Sequence, residues 1–119
     1  MEQAFEDGSA VAAAEGQLMA YNRRDVEGFM SWYAEDVEVR ELVSGEVRLA
    51  GWSAMREAYA VQFATRPERR AEVVSRQVLG EVVIDTELVS GPGEEAVRVG
   101  AIYRVRNGKI DRVWFTPRF

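Results

Sequence analysis

Residues 72–115 read EVVSRQVLGEVVIDTELVSGPGEEAVRVGAIYRVRNGKIDRVWF, and this stretch decides the fold. Four of its runs are rich in Val, Ile, Tyr and Trp, the residue types that strands prefer: 72–79, 82–89, 96–105 and 110–115. Turn-forming residues separate the runs, and Asn107-Gly108 is a strong two-residue hairpin signal. The C-terminal half therefore predicts an antiparallel meander of four strands.

Ahead of the meander, apolar residues recur at helical spacing. The first helix is predicted from a cap at Asp7 or Ser9 to about Arg24. A second, short helix is capped by Asp25, and its apolar stripe extends to Tyr33. Two helices are therefore expected to come first in the chain.

From residue 37 the period changes to two, which predicts a strand over 37–42 and, after a turn at Ser44-Gly45, a short strand over 46–50. Helical spacing resumes over 52–64 and is stopped by Pro67. The order α-α-β-β-α-β-β-β-β, with helices segregated to one side of a sheet, predicts one α+β domain over residues 1–119.

The sequence contains no cysteine and no histidine. This excludes disulfides, thiol nucleophiles and the commonest metal ligand, so we expect no metal and no cofactor. A net charge of −5, and glutamates that interrupt the arginines between residues 66 and 76, argue against nucleic-acid binding. No run approaches the roughly 20 apolar residues of a membrane span, and the acidic N-terminus lacks a signal-peptide pattern. We therefore expect a cytoplasmic protein.

Four strings stand in order along nearly the whole chain: YNRRD at 21–25, YAEDV at 33–37, GWSAMREAY at 51–59 and YRVRNGKI at 103–110. With this spacing the sequence resembles the nuclear transport factor 2-like superfamily, in particular its SnoaL-like polyketide cyclase and ketosteroid isomerase-like branches. The resemblance implies a cystatin-like conical half-barrel, a curved mixed or antiparallel sheet whose concave side is closed by three helices. Because this fold hosts both enzymes and non-catalytic domains, the resemblance leaves the function open.

Glu41 is the candidate general base. Strand alternation places it on the same face as Val37 and Val39, toward the core, where burial raises the pKa of a carboxylate toward the range useful for proton abstraction. The resemblance implies the same role, since Glu41 aligns with the aspartate that shuttles the proton in ketosteroid isomerases. The alternative is that the strand ends early or bulges, so that Glu41 faces water or pairs with an arginine.

The resemblance does not extend to the oxyanion site of ketosteroid isomerases, which uses a tyrosine on the first helix and a protonated aspartic acid on a late strand. Gln17 and Ala101 align with these positions, and Ala101 has no hydrogen bond to donate. Ketosteroid isomerase activity itself is therefore not expected. Tyr59 matches a supporting tyrosine of the third helix, or it is a plain core residue. The candidate catalytic residues are Glu41, Gln17 and Tyr59.

Large apolar and aromatic side chains are predicted to form the walls of a ligand pocket. The candidates are Tyr21, Trp32, Tyr33, Val39, Trp52, Met55, Phe63, Val99, Ala101, Tyr103 and Trp114. The alternative is that several of the aromatic residues simply pack beneath the helices. Asp85 and Glu87 are expected to pair across the sheet with Arg98 or Arg104.

The sequence therefore leads to two hypotheses. In the first, the chain binds a small apolar, in some cases cyclic, metabolite and performs cofactor-independent proton transfer with Glu41 as the base. In the second, it is a non-catalytic ligand-binding or dimeric assembly module of the same fold. A homodimer through the outer sheet face is expected in both cases, because strands rich in Val, Ile and Trp are costly to leave in contact with water.

Overall fold

The computed structural model describes residues 7–117, with side chains described from Ser9 onward. In this range the elements are α1 Asp7–Asn22, α2 Val26–Met30, β1 Tyr33–Glu41, β2 Val47–Ala50, α3 Trp52–Thr65, β3 Arg70–Leu79, β4 Val82–Ser90, β5 Val97–Arg106 and β6 Lys109–Phe115. The predicted α+β class and element order are confirmed. Because α1 already includes Ser9, that residue is not its cap, and the side chain of Asp7 lies outside the described residues.

The strands form one curved mixed sheet in the order β2-β1-β6-β5-β4-β3. Strands β3 to β6 are the predicted antiparallel meander. Its last hairpin turns at Asn107-Gly108, where both residues have positive φ, as a type I′ turn requires. Strand β1 pairs antiparallel with β2 and parallel with β6, so the first half of the chain is joined to the last strand.

The second helix ends earlier than the sequence predicts. Tyr33 is expected on the stripe of that helix, but α2 ends at Met30 and Tyr33 is the first residue of β1. The backbone of Ile110 donates a hydrogen bond to the carbonyl of Trp32 (2.8 Å), and Tyr33 pairs with Ile110. Pairing with β6 therefore competes successfully with another helical turn.

The helices cover the concave face of the sheet and bury an aromatic cluster there. Phe29, on α2, lies 4.7 Å from Tyr59 and 5.5 Å from Phe63, measured between ring centroids. Tyr21, on α1, meets Phe63 edge-on at 5.5 Å. Such tilted and edge-on pairs each add about 0.5–1.5 kcal/mol to the stabilisation from burial, so this cluster joins the three helices. Across residues 9–117, no helix is long and apolar enough to span a bilayer.

Helix α1 approaches α2 closely because Gly16 has no side chain. A Cβ at this position would lie 2.2 Å from Cε2 of the Trp32 indole, far inside van der Waals contact. The indole therefore packs directly on the helix backbone, and this contact sets how near α1 lies to the segment that enters β1.

We expect Gly16→Ala to lower the free energy of unfolding by about 1–3 kcal/mol through overpacking, although alanine favours a helix interior by about 1 kcal/mol. In a Trp32→Ala background the clash is gone, so the same substitution should become stabilising. Urea denaturation of the four proteins measures both effects. Equal destabilisation in the two backgrounds would show that the indole contact is not the cause.

Candidate functional site

A cavity of about 610 Å³ lies between the helices and the concave face of the sheet. Its floor is polar and is formed by Gln17, Tyr33, Tyr59, Glu87 and Tyr103. Its walls are mainly apolar: Leu18, Tyr21, Phe29, Val89, Val97, Val99 and Phe115. Its mouth carries charged residues from one end of the sheet: Arg40, Glu41, Arg48, Arg69, Glu94 and Glu95.

Four of the floor residues, all except Tyr59, form a hydrogen-bonded chain. The Tyr33 hydroxyl donates to Oε1 of Gln17 (2.9 Å), and Nε2 of Gln17 donates to the Tyr103 hydroxyl (3.3 Å) and to the carbonyl of Ala14 (3.0 Å). The Tyr103 hydroxyl donates in turn to Oε2 of Glu87 (3.1 Å). Helix α1 and strands β1, β4 and β5 therefore contribute to one network that ends on a carboxylate.

Glu87 is the titratable group of this floor. Its side chain is largely withdrawn from solvent, and the pKa is raised to about 7, first by burial and then by the nearby charge of Asp85. The hydrogen bond from Tyr103 and the charge of Arg76 oppose this shift. Both forms of the carboxyl group are therefore accessible near neutral pH, which a general base requires.

Asp85 lies two residues away on the same inward face of β4 and is only 1% exposed. Both of its oxygens accept hydrogen bonds from the Arg76 guanidinium, at 2.7 and 2.9 Å, and Arg76 also binds Glu15 of α1 (2.7 Å). The expected pairing of Asp85 and Glu87 with Arg98 or Arg104 was wrong. Arg104 instead binds Asp111 through two hydrogen bonds, at 2.9 and 3.0 Å.

The Tyr59 hydroxyl reaches the cavity from α3. Burial raises its pKa above the ordinary value of a phenol, and the charge of Glu87 acts in the same direction. The group therefore keeps its proton. No hydrogen-bond partner of this hydroxyl occurs in the described part of the chain, so it can donate to a ligand. The pKa values of Tyr33 and Tyr103 are also raised well above the usual range by burial.

Glu41 does not have the properties predicted for it. Glu41 is the last residue of β1, and its side chain lies at the mouth of the cavity, partly exposed. One of its oxygens accepts a hydrogen bond from the backbone amide of Ser44 (2.7 Å), and this contact lowers its pKa. The expectation of a raised pKa was therefore wrong, because Glu41 caps the β1–β2 turn.

The predicted wall residues fall into separate groups. Tyr21, Tyr33, Val99 and Tyr103 line the cavity, together with the candidate catalytic residues Gln17, Tyr59 and Glu41. Four others are buried in the core rather than at the cavity surface: Val39, Met55, Phe63 and Ala101.

The three tryptophans do not line the cavity. Trp32 packs on Gly16, and Trp52 donates through Nε1 to the carbonyl of Met30 (3.0 Å). Trp114 follows the buried Val113 on β6 and therefore projects from the outer face of the sheet. Their predicted role as walls of this cavity is replaced by packing roles at the helices and on the outer face.

Glu87 is the main residue that the sequence reasoning missed as a site residue. The signal was present, because Val83, Asp85, Glu87 and Val89 alternate along β4 and share one face. The same reasoning that was applied to Glu41 would have placed Glu87 inward. Within the described residues, no group of three or more acidic side chains is arranged to hold a metal ion.

The raised pKa of Glu87 makes stability depend on pH. Between the ordinary carboxyl pKa of 4.5 and about 7 the folded state binds more protons than the unfolded state, so stability falls as the pH rises through this window. We expect the stability of Glu87→Gln relative to wild type to rise by up to about 3 kcal/mol between pH 4 and pH 8. Glu72→Gln, at an exposed position of β3, is the matched control. Parallel pH–stability curves for wild type and Glu87→Gln would contradict the shift.

The fold is shared with solved structures. One is an uncharacterised cystatin-fold protein from Novosphingobium aromaticivorans, with 27% identity, a TM-score of 0.82, and coverage of 89% of this chain and 96% of that one. A provisionally assigned ketosteroid isomerase from Kribbella flavida has 18% identity and a TM-score of 0.81, covering 96% and 81%. A provisionally assigned polyketide cyclase from Sinorhizobium meliloti has 19% identity and a TM-score of 0.75, covering 93% and 99%.

No curated protein matches the sequence. The family model described as the SnoaL-like domain matches residues 14–113, which include the floor of the cavity and most of every strand. The resemblance that the four sequence strings carried is thereby confirmed. The chain belongs to the SnoaL-like domain family.

Proposed function

We propose that the chain binds a small, mostly apolar carbonyl compound, cyclic ones included, and transfers a proton at the carbon next to the carbonyl group. The observation that carries the proposal is Glu87, a carboxylate with a pKa of about 7 on the floor of an apolar-walled cavity. A cavity of about 610 Å³ is within the usual range of about 300–1,000 Å³ for small-molecule sites.

Each step of the proposed reaction uses a group of the chain. Glu87 accepts the proton from the carbon and becomes a neutral carboxylic acid, while the electron pair of the broken C–H bond forms an enolate. Tyr59 donates a hydrogen bond to the enolate oxygen, where negative charge develops. Return of the proton to another carbon completes an isomerisation or prepares a cyclisation, and no electron acceptor is needed. Glu87 takes the role that the sequence assigned to Glu41.

The charged mouth and the apolar walls of the cavity together favour an amphipathic ligand. Its apolar body would pack on wall residues such as Phe29 and Phe115, and its carbonyl group would reach the floor.

A second candidate function is ligand binding without turnover, since the cavity alone supports binding. A cytoplasmic location is part of the same proposal and rests on the absence of cysteine.

The test is proton exchange in D2O with a panel of cyclic ketones and β,γ-unsaturated cyclic ketones of one to four rings. Deuterium incorporation, measured by mass spectrometry, reports enolisation, and ultraviolet absorbance of the conjugated product reports isomerisation. We expect the rate to rise about tenfold per pH unit below pH 7 and to level off above it, because the base must be ionised.

Glu87→Gln should lower this rate by about 10²–10⁴-fold and Tyr59→Phe by about 10²-fold or more, while Glu72→Gln should leave it unchanged. Calorimetry on the same panel separates the two candidate functions. Binding without exchange would identify a ligand-binding module. Exchange that survives in Glu87→Gln would refute the assignment of Glu87 as the base.

We also propose that two copies of the chain pair through the outer face of the sheet. Ile84, Ile102 and Trp114 are register neighbours on β4, β5 and β6, and all three are only partly buried. They form a continuous apolar row on the face opposite the cavity. Ion pairs flank this row, including Arg104–Asp111, so a second copy would find both apolar and charged surface.

Sedimentation velocity at about 10–50 μM tests the dimer, and we expect twice the monomer mass for wild type. Ile102→Glu should shift the mass to that of a monomer, since it places a charge in the apolar row. Val61→Glu is the matched control, because Val61 is 59% exposed on α3, away from the sheet. A wild-type monomer throughout this concentration range would refute the proposed interface.

A further inference from the structure

We propose that Gln17 is a positioning residue, which acts through Tyr103 to orient the carboxylate of Glu87 and to select the oxygen that meets the ligand. This inference deepens the proposed function and rests on it for its catalytic meaning. The resemblance aligns Gln17 with a residue that holds the oxyanion in ketosteroid isomerases, a position in direct contact with the ligand. The hydrogen bonds of its side chain point to a different role.

One backbone carbonyl fixes the donor-to-acceptor direction of the hydrogen bonds on the cavity floor. The carbonyl of Ala14 has no proton and can only accept, so the side of Gln17 that faces it at 3.0 Å must be the NH₂ group. Oε1 then faces the Tyr33 hydroxyl, which must donate to it. The amide of Gln17 therefore has a single orientation that satisfies both neighbours.

This orientation determines what Tyr103 does. Its oxygen lies 3.3 Å from Nε2 of Gln17 and accepts that hydrogen bond, so its own proton is free to point elsewhere. The available acceptor is Oε2 of Glu87 at 3.1 Å. Because burial raises the pKa of Tyr103 well above its usual range, the phenol keeps this proton and remains a donor.

The two oxygens of Glu87 consequently differ. Oε2 is held by Tyr103, whereas Oε1 has no partner in the part of the chain that the structure describes. Oε1 is therefore the oxygen that takes the proton from the ligand. The donor at Oε2 also stabilises the ionised form and opposes the effect of burial on the pKa of Glu87.

Gln17 itself has no donor left for a ligand. Its NH₂ group has two protons, and these are used by Ala14 and Tyr103. Donation to an enolate oxygen would require one of these bonds to break, which would leave a buried group without a partner. Tyr59, whose hydroxyl has no hydrogen-bond partner between residues 9 and 117, is the better donor to the ligand.

The charged and titratable groups near Glu87 come from five elements. Asp85 on β4 raises its pKa, and Arg76 on β3 and the hydroxyl of Tyr103 on β5 lower it. The hydroxyls of Tyr33 on β1 and Tyr59 on α3 are close enough for their own pKa values to respond to the charge of Glu87. A test must therefore follow the titration of Glu87 itself rather than the pH dependence of the whole protein.

The experiment is a ¹³C NMR titration of the Glu87 side-chain carboxyl in the full chain without ligand, assigned by its absence in Glu87→Gln. We expect Tyr103→Phe to raise the pKa of Glu87 by about one unit, since a hydrogen bond to a charged group is lost. Gln17→Met should raise it by about half a unit, because Tyr103 becomes a weaker and less oriented donor. Gln62→Met, the same substitution at another glutamine on the cavity, should change nothing.

The double variant Gln17→Met/Tyr103→Phe distinguishes action through Tyr103 from a general loosening of the fold. If Gln17 acts through Tyr103, the double variant should titrate like Tyr103→Phe alone. Additive shifts, or no shift in Gln17→Met, would overturn the inference. Because the titration needs no turnover, this result is independent of whether the chain enolises ketones. A failed exchange assay with the expected NMR shifts would reject the proposed function and keep the positioning role.

Discussion

The structure depends on how it accommodates two carboxylates that β4 carries into the interior. Asp85 and Glu87 alternate with Val83 and Val89 on the inward face and are 1% and 6% exposed. An isolated buried charge costs several kcal/mol, so each carboxylate needs compensation. Asp85 is compensated by a two-point ion pair with Arg76. Among the described residues, Glu87 has one hydrogen-bond donor, Tyr103, and its raised pKa leaves it free to exchange its proton.

The position of helix α1 follows from this compensation. Glu15 reaches Arg76 and thereby extends the ion pair of Asp85, while Gln17 reaches the phenol that holds Glu87. Both contacts need the helix to lie close to the sheet, and four alanines on the buried side of α1 allow this approach: Ala10, Ala13, Ala14 and Ala20, each no more than 2% exposed. A larger side chain at these positions would move the helix outward. This would lengthen the hydrogen bond from Gln17 to Tyr103, which at 3.3 Å is already the longest in the network of the cavity floor.

The order of elements, the meander and the family could be predicted because they depend on local periodicity and turn residues. The lowered pKa of Glu41 could not be predicted, since it depends on the turn that follows β1. Glu41 keeps the face of Val39 in its pairing with β6, but it is the last residue of β1, and the backbone amide of Ser44 binds its carboxylate. The pairing of Asp85 with Arg76, by contrast, follows from the turn between β3 and β4, since Leu79 pairs with Val82 and Arg76 therefore with Asp85. Glu87 could have been found, since its alternation with valines is as regular as that of Glu41.

The exclusion of water around Glu87 has two opposing effects on its pKa, and their balance places the pKa near 7. Removal of water raises the pKa by destabilising the charge, but it also strengthens the hydrogen bond from Tyr103, because electrostatic interactions grow in a medium of lower dielectric constant. A ligand that displaces water from the cavity acts on both effects at once, so the carboxylate does not simply become protonated when the site fills. The donor is already in place before the ligand arrives, since the carbonyl of Ala14 fixes the direction of the chain. Little reorganisation therefore remains for the proton transfer itself, which is the condition under which a preoriented group lowers a barrier most effectively.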